Sequence, residues 1–114
     1  MSQSENSNTM VLQELATLIA GRRSAKADQS YTAKLLGAGV EKCAEKFGEE
    51  AIETIIALTS GRHDDIKAEA ADALYHLLVA LEAANVPFDD VLDELKSRTS
   101  QSGLQEKASR SAKT

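Results

Sequence analysis

VEKCAEKFGEEAIETIIALTSGRHDDIKAEAADALYHLLVALEAA, residues 40–84, decides the fold. In its first half Val40, Cys43, Ala44, Phe47, Ala51, Ile55 and Leu58 recur in steps of three or four, which places them on one stripe of a helix running from Val40 to about Thr59. Ser60-Gly61 supplies the stop, because glycine accepts the left-handed backbone that closes a helix. The second half predicts another long helix from about Asp64 to Ala84. Ile66, Ala70, Ala73, Leu74, Leu77, Leu78 and Leu81 form its main face, and Val79 and Ala80 widen it, so burial on two sides is expected. The short connection at Gly61 forces the two helices antiparallel.

Working outward, Val11, Leu12, Leu15, Leu18 and Ile19 keep helical spacing up to Gly21 and predict a helix before the hairpin. Arg22 to Ser30 is polar and reads as a connection. Ser30 or Thr32 then caps a short helix carrying Ala33, Leu35 and Leu36, with Gly37 and Gly39 as its break. Beyond the hairpin a last helix starts near Pro87, whose fixed φ suits that position, and carries Phe88, Val91, Leu92 and Leu95. The expectation is an all-α domain over residues 10–98, an antiparallel helical hairpin with flanking helices. Residues 1–9 have no apolar partner to offset ordering and are expected to be disordered, and residues 99–114 read as a polar tail.

A chain of 114 residues with one proline, six glycines and 4% aromatic residues suits helices and a single domain. Alone it hides roughly two thirds of its unfolded surface, so a second copy closing a four-helix-bundle-like core is expected. The net charge of -5 argues against nucleic acid and anionic membranes as partners, and an anionic substrate would need metal ions. Cys43 is the single cysteine and cannot form an internal disulfide. No apolar run long enough for a signal or membrane segment occurs, and the cytoplasm is the simplest location.

The chemistry-bearing residues lie on the hairpin. Glu50 and Glu53 are three apart on its first helix, Glu69 and Asp72 three apart on its second, so each pair projects from one face and the faces can oppose. Four converging carboxylates repel one another and raise their own pKa values, a cost relieved by divalent cations between them. Acids on helix faces are ordinarily solvated surface, and the pairing on adjacent helices is what lifts the metal reading above that background. Mg2+ suits the set, since it takes oxygen ligands and shares them with phosphates, and calcium or manganese prefer the same atoms. Zinc fits less well, with only Cys43, His63 and His76 to offer. Such a cation neutralises phosphoryl oxygens while a carboxylate orients water, and Lys42 or Lys46 can hold an outer phosphate. That chemistry is phosphoanhydride hydrolysis.

The run Lys46-Phe47-Gly48-Glu49-Glu50-Ala51-Ile52-Glu53, followed by Glu69-Ala70-Ala71-Asp72, resembles the paired acidic signature of the MazG-like all-α nucleotide pyrophosphohydrolases. Within that superfamily, residues 30–36 (SYTAKLL), 72–78 (DALYHLL) and 102–110 (SGLQEKASR) resemble the phosphoribosyl-ATP pyrophosphohydrolase family over about residues 10–110. The resemblance implies hydrolysis of phosphoribosyl-ATP to phosphoribosyl-AMP and pyrophosphate, the second step of histidine biosynthesis, with Mg2+ required and a homodimer as the assembly. It implies Glu50, Glu53, Glu69 and Asp72 as the catalytic metal-holding acids, Glu49 as a further or alternative ligand, and Lys42, Lys46 and Tyr31 as substrate contacts.

Other residues have plainer readings beside the functional ones. His76, one turn beyond Asp72, could orient a ligand or be a structural hydrogen-bonder, and we leave it outside the catalytic set. Ser30-Tyr31-Thr32 is either a phosphate or ribose contact or a helix cap. Gly37-x-Gly39 lacks the ending of a phosphate loop. Cys43 falls on an apolar stripe and reads as packing. Arg22 and Arg23 either reach a phosphate or form a solvated helix end. Three rival functions are a house-cleaning pyrophosphatase of nucleoside triphosphates, a ferritin-like di-iron bundle, and a non-catalytic helical dimer. The di-iron bundle needs Glu-x-x-His twice, whereas Ser60 and Ala73 stand three before His63 and His76.

Overall fold

The computed structural model describes residues 3–99, and these form helices and turns only. Helix α1 spans Gln3–Gly21 and passes through a single 3-10 turn, Arg22–Ser24. Helices α2 (Tyr31–Ala38), α3 (Val40–Ser60), α4 (His63–Ala83) and α5 (Phe88–Thr99) follow. The all-α reading holds. Helix α1 reaches back into residues 1–9, which composition assigns to disorder; a helix nucleated at Val11 extends at one hydrogen bond per added residue. The motif at 102–110 and the tail beyond Thr99 lie outside the described residues.

Local chemistry sets each boundary. Ser30 is extended (φ -153°, ψ 122°), and its hydroxyl accepts from the Ala33 N–H at 3.1 Å, so it caps α2. Ser30 thus takes the helix-cap role that the sequence offered for this segment, and Thr32 pairs its hydroxyl with that of Tyr75. Ser30→Ala is expected to lower stability by about 1 kcal/mol in thermal or urea unfolding. Gly37 lies within α2, and only Gly39, at φ 99°, breaks the chain between α2 and α3. Gly61 (φ 76°) ends α3 in the left-handed conformation, its N–H donating to Ala57 O at 3.2 Å. At the end of α4, Asn85 takes φ 63° and the Val86 N–H reaches Leu81 O at 2.9 Å, a six-to-one closure. Asp64 and Asp65 in the first turn of α4, and Asp89 and Asp90 in that of α5, complement the helix dipoles.

Helices α3 and α4 form the dominant pair, and α1 and α2 pack on α4. The core gathers Ile19, Leu35, Cys43, Leu78 and Val79, with Leu12, Leu15, Leu36, Tyr75, Leu81 and Phe88 against it. Cys43 donates its thiol to Leu35 O at 3.2 Å, and burial pushes its pKa up, so it is a packing residue. Arg23 bonds the Glu82 side chain and carbonyl and, at 2.9 Å, Asn85 Oδ1. It therefore clasps the α1 turn to the end of α4 rather than facing a phosphate.

The predicted α3 stripe divides in two. Cys43 is buried inside the chain and Phe47 and Ala51 are half-buried, whereas Val40, Ala44, Ile55 and Leu58 are exposed together with Ile52 and Ile56. Burial of α4 on two sides is likewise incomplete: Leu78 and Val79 are enclosed, and Leu74 is 46% exposed. A helix that is apolar over more than half its circumference turns only one flank to its own chain.

Candidate metal centre

The α3–α4 seam is polar where the carboxylates meet. Glu50 of α3 and Glu69 and Asp72 of α4 bring one oxygen each within 4.8 Å of the others. Antiparallel packing produces this: Glu50 falls between two α4 residues separated by one helical turn. Oxygens on opposite sides of a magnesium ion are about 4.2 Å apart, so small side-chain rotations bring this group onto one. Glu50 and Glu69 are half-buried and Asp72 is exposed, which leaves an open side for water or phosphate. Thr54, one turn beyond Glu50, donates its hydroxyl to Glu50 O at 2.8 Å and lies 3.0 Å from Glu69 O. It ties the two helices together beside the cluster. No residue-type motif marks it, and only the apposition of the helices reveals its place.

Burial pushes the Glu69 pKa above its ordinary 4.5, and the charges of Glu50, Asp72, Glu53 and Asp65 push it further. With its folded value above its unfolded one, the ionised carboxylate costs stability at neutral pH. That cost is relieved as pH falls through the folded value toward 4.5. In chelator at pH 7 Glu69→Gln is thus expected to melt higher than the wild type, with the gap closing as pH falls. A lower melting temperature for the variant in chelator would sink the idea that Glu69 is held at a cost.

The other acids and cations of the seam are placed differently from one another. Glu53 lies one turn from Glu50 and lines a recess of ≈ 190 Å³ with Ile56, Ala57, Ser60, Arg62, Asp65 and Glu69. It adjoins the three-carboxylate group through Glu69 without belonging to it. Arg62 is occupied by Asp65 at 2.9 Å. Glu49 is exposed and holds Lys46 at 3.0 Å; hydrogen bond and charge together lower the Glu49 pKa and raise that of Lys46. Glu49 thus pairs with Lys46 and lies outside the group of three converging carboxylates. Lys42 points to Glu45 at 3.4 Å on the exposed side of α3. Tyr31 is 53% exposed, its ring edge-on to His76 with centroids 6.2 Å apart.

His76 is the residue that sequence reasoning set aside and the structure brings forward. It is 7% exposed, Tyr75 stands against it at 4.9 Å, and its Nδ1 has no hydrogen-bond partner among the described residues.

An all-α hairpin whose two long helices oppose carboxylates across an open seam offers oxygen atoms of the kind that could hold a hard divalent cation. The model of the phosphoribosyl-ATP pyrophosphohydrolase family matches residues 12–99. A Ruegeria pomeroyi protein named phosphoribosyl-ATP pyrophosphatase is 55% identical over 100 residues, covering 88% of this chain and 95% of its own length. Proteins of the same name from Jannaschia sp. (56% over 99 residues, 87% and 97% covered) and Rhizobium johnstonii (52% over 99 residues, 87% and 92% covered) agree. The chain belongs to the phosphoribosyl-ATP pyrophosphohydrolase family. The di-iron and adaptor alternatives fall with that membership.

Proposed function

We propose that the chain hydrolyses phosphoribosyl-ATP to phosphoribosyl-AMP and pyrophosphate, the second step of L-histidine biosynthesis, as a Mg2+-dependent homodimer in the cytoplasm. The observation that carries this reading is the meeting of Glu50, Glu69 and Asp72 across the hairpin in a chain of this family. Among the described residues no helix is long and apolar enough to cross a membrane.

The donor set fits magnesium: carboxylate oxygens converge, burial and neighbouring acids push the Glu69 pKa up, and among the described residues Glu50, Glu69 and Asp72 form no direct ion pair. Glu50, Glu69 and Asp72 would hold the cation, with Glu53 beside them on the same seam. When bound, the metal neutralises charge on the phosphoryl oxygens and so lowers the barrier to attack by water on the phosphoanhydride. Water adds to the phosphorus and the bond to the departing pyrophosphate oxygen breaks, so atoms balance with no further reactant. The chain's own part is to orient and to bind. Lys46, half-buried one turn before Glu50, has ammonium protons left beyond its bond to Glu49 and can meet an outer phosphate. Tyr31 stands at the same end of the seam.

The dimer reading draws on the apolar flank of α3. Ile52, Ile55, Ile56 and Leu58 are each more than half exposed, which puts more apolar area on this flank of α3 than a lone soluble chain ordinarily presents. A second hairpin laid on it completes a four-helix core.

Pyrophosphate release from phosphoribosyl-ATP, compared with a panel of deoxynucleoside triphosphates with and without Mg2+, tests the proposal. Preferred, metal-dependent turnover of phosphoribosyl-ATP is expected. Faster turnover of the triphosphates would refute the substrate while leaving the acidic seam intact.

A further inference from the structure

Toward the hairpin turn the carboxylate seam continues into the recess of ≈ 190 Å³ that holds Glu53, Asp65 and Glu69, with Ile56 on its wall and Arg62 at its turn end. Glu69 belongs both to this recess and to the group of three converging carboxylates, so a molecule seated on that group borders the recess directly. Arg62 immediately precedes α4, about 10 Å of helix rise from Glu69. It comes before the acids of α4 as Lys46 comes before those of α3. Because the helices are antiparallel, Arg62 and Lys46 therefore stand at opposite ends of the seam.

The Arg62 side chain is 78% exposed, and its Nε lies 2.9 Å from Asp65 Oδ2. A guanidinium carries five N–H donors in a fixed fork, so an anchor at Nε leaves donors for an anion arriving from solvent. The interior of the recess is different. Glu53, Asp65 and Glu69 are acceptors that repel phosphate and accept from hydroxyl groups, and Ile56 offers carbon for the face of a small ring to lie on. Hydroxyls inside and a phosphate at the cationic end is the complement of a sugar phosphate. Phosphoribosyl-ATP carries one: beside its triphosphate it has a second ribose with a single phosphate, whereas an ordinary nucleoside triphosphate has no second anionic end.

We propose that this recess receives the phosphoribosyl arm of the substrate, with Arg62 binding the phosphate of that arm and thereby selecting phosphoribosyl-ATP over ordinary nucleoside triphosphates. The inference rests on the substrate reading given above and deepens it by laying the substrate along the seam, triphosphate toward Lys46 and arm toward Arg62. Arg62 meets the substrate far from the reacting phosphorus and so acts on binding rather than on the chemical step. Asp65 is its positioning residue.

Steady-state hydrolysis of phosphoribosyl-ATP by the full chain with Mg2+, with inorganic pyrophosphate as a product inhibitor, tests the assignment. Arg62→Ala is expected to raise KM about 10- to 100-fold, the worth of a charge-assisted hydrogen bond, and to leave kcat within about threefold. Its inhibition by pyrophosphate, which reaches the metal and Lys46 but not the recess, stays within about twofold of the wild type. Arg62→Lys keeps the charge without the fork and falls between the two. The Arg62 side chain makes no cap bond at the start of α4, so its truncation costs the fold little; helicity checks this, and the lysine variant decides the matter if the alanine variant misfolds. A KM unmoved by loss of the guanidinium, or a rise in KM matched by an equal weakening of pyrophosphate, overturns the proposal. Wild-type turnover separates the two readings. A wild type that hydrolyses phosphoribosyl-ATP beside an Arg62→Ala that behaves identically removes this inference alone, whereas a wild type that hydrolyses only deoxynucleoside triphosphates removes the substrate assignment and the arm with it.

Discussion

Glu50→Gln is expected to lower kcat/KM for phosphoribosyl-ATP by about 10³-fold and to abolish the rise in melting temperature produced by magnesium. The substitution keeps the shape of the side chain and deletes one charge from the group where Glu50, Glu69 and Asp72 meet. Charge stabilisation by a bound metal is worth several kcal/mol, and each 1.36 kcal/mol is tenfold in rate, so about 10³ follows from loss of that term. The stability readout is independent of chemistry: a cation at 100 times its dissociation constant adds about 2.7 kcal/mol to the wild type, roughly 10–20 °C for a domain of this size. Glu50 also supplies one of the charges that push Glu69 up, so the metal-free variant is expected to be no less stable than the wild type. Loss of activity in a chain that folds normally and no longer responds to magnesium would establish Glu50 as a ligand. Retention of the magnesium response would remove it from the ligand set and return the acids to solvated surface.

Ile55→Glu is expected to convert a dimer into folded monomers. Ile55 is 59% exposed in the single chain and lies amid Ile52, Ile56 and Leu58, so its change costs the isolated fold little. Burying an isoleucine contributes about 1.5–3 kcal/mol, and a two-fold interface counts the residue twice, giving about 3–6 kcal/mol or roughly 10²- to 10⁴-fold in the dimer dissociation constant. Two added carboxylates at the contact act in the same direction. Sedimentation equilibrium of wild type and variant, with helicity as a check on folding, reads the result. A wild type that sediments as a monomer, or a variant that keeps the wild-type mass, would mean that this flank serves something other than a second copy.

Much of this was legible before any coordinates. The period of the apolar residues set α3 and α4 within a residue or so of their ends, Ser30 and Gly61 marked boundaries by their own chemistry, and the two acid pairs located the seam. Family membership confirms what the acidic motifs and the flanking segments suggested. The sites themselves were legible only in part. Three of the four paired acids converge, Glu53 stands one turn aside, Glu49 is taken by Lys46, the neglected His76 proves to be enclosed, and the unmarked Thr54 lies against the seam.

The sequence by itself determined the helices, their antiparallel order and the kind of chemistry their polar faces carry, because those depend on residues three or four apart along one chain. The rotation of α3 against α4 was decided by the tertiary structure alone. Alanines and β-branched residues surround α3 on most sides, so several rotations bury comparable area, and packing with α4 and α2 selects the one that encloses Cys43 and leaves Ile55 outside. That same rotation chooses which carboxylates share a cation site and which imidazole loses contact with water.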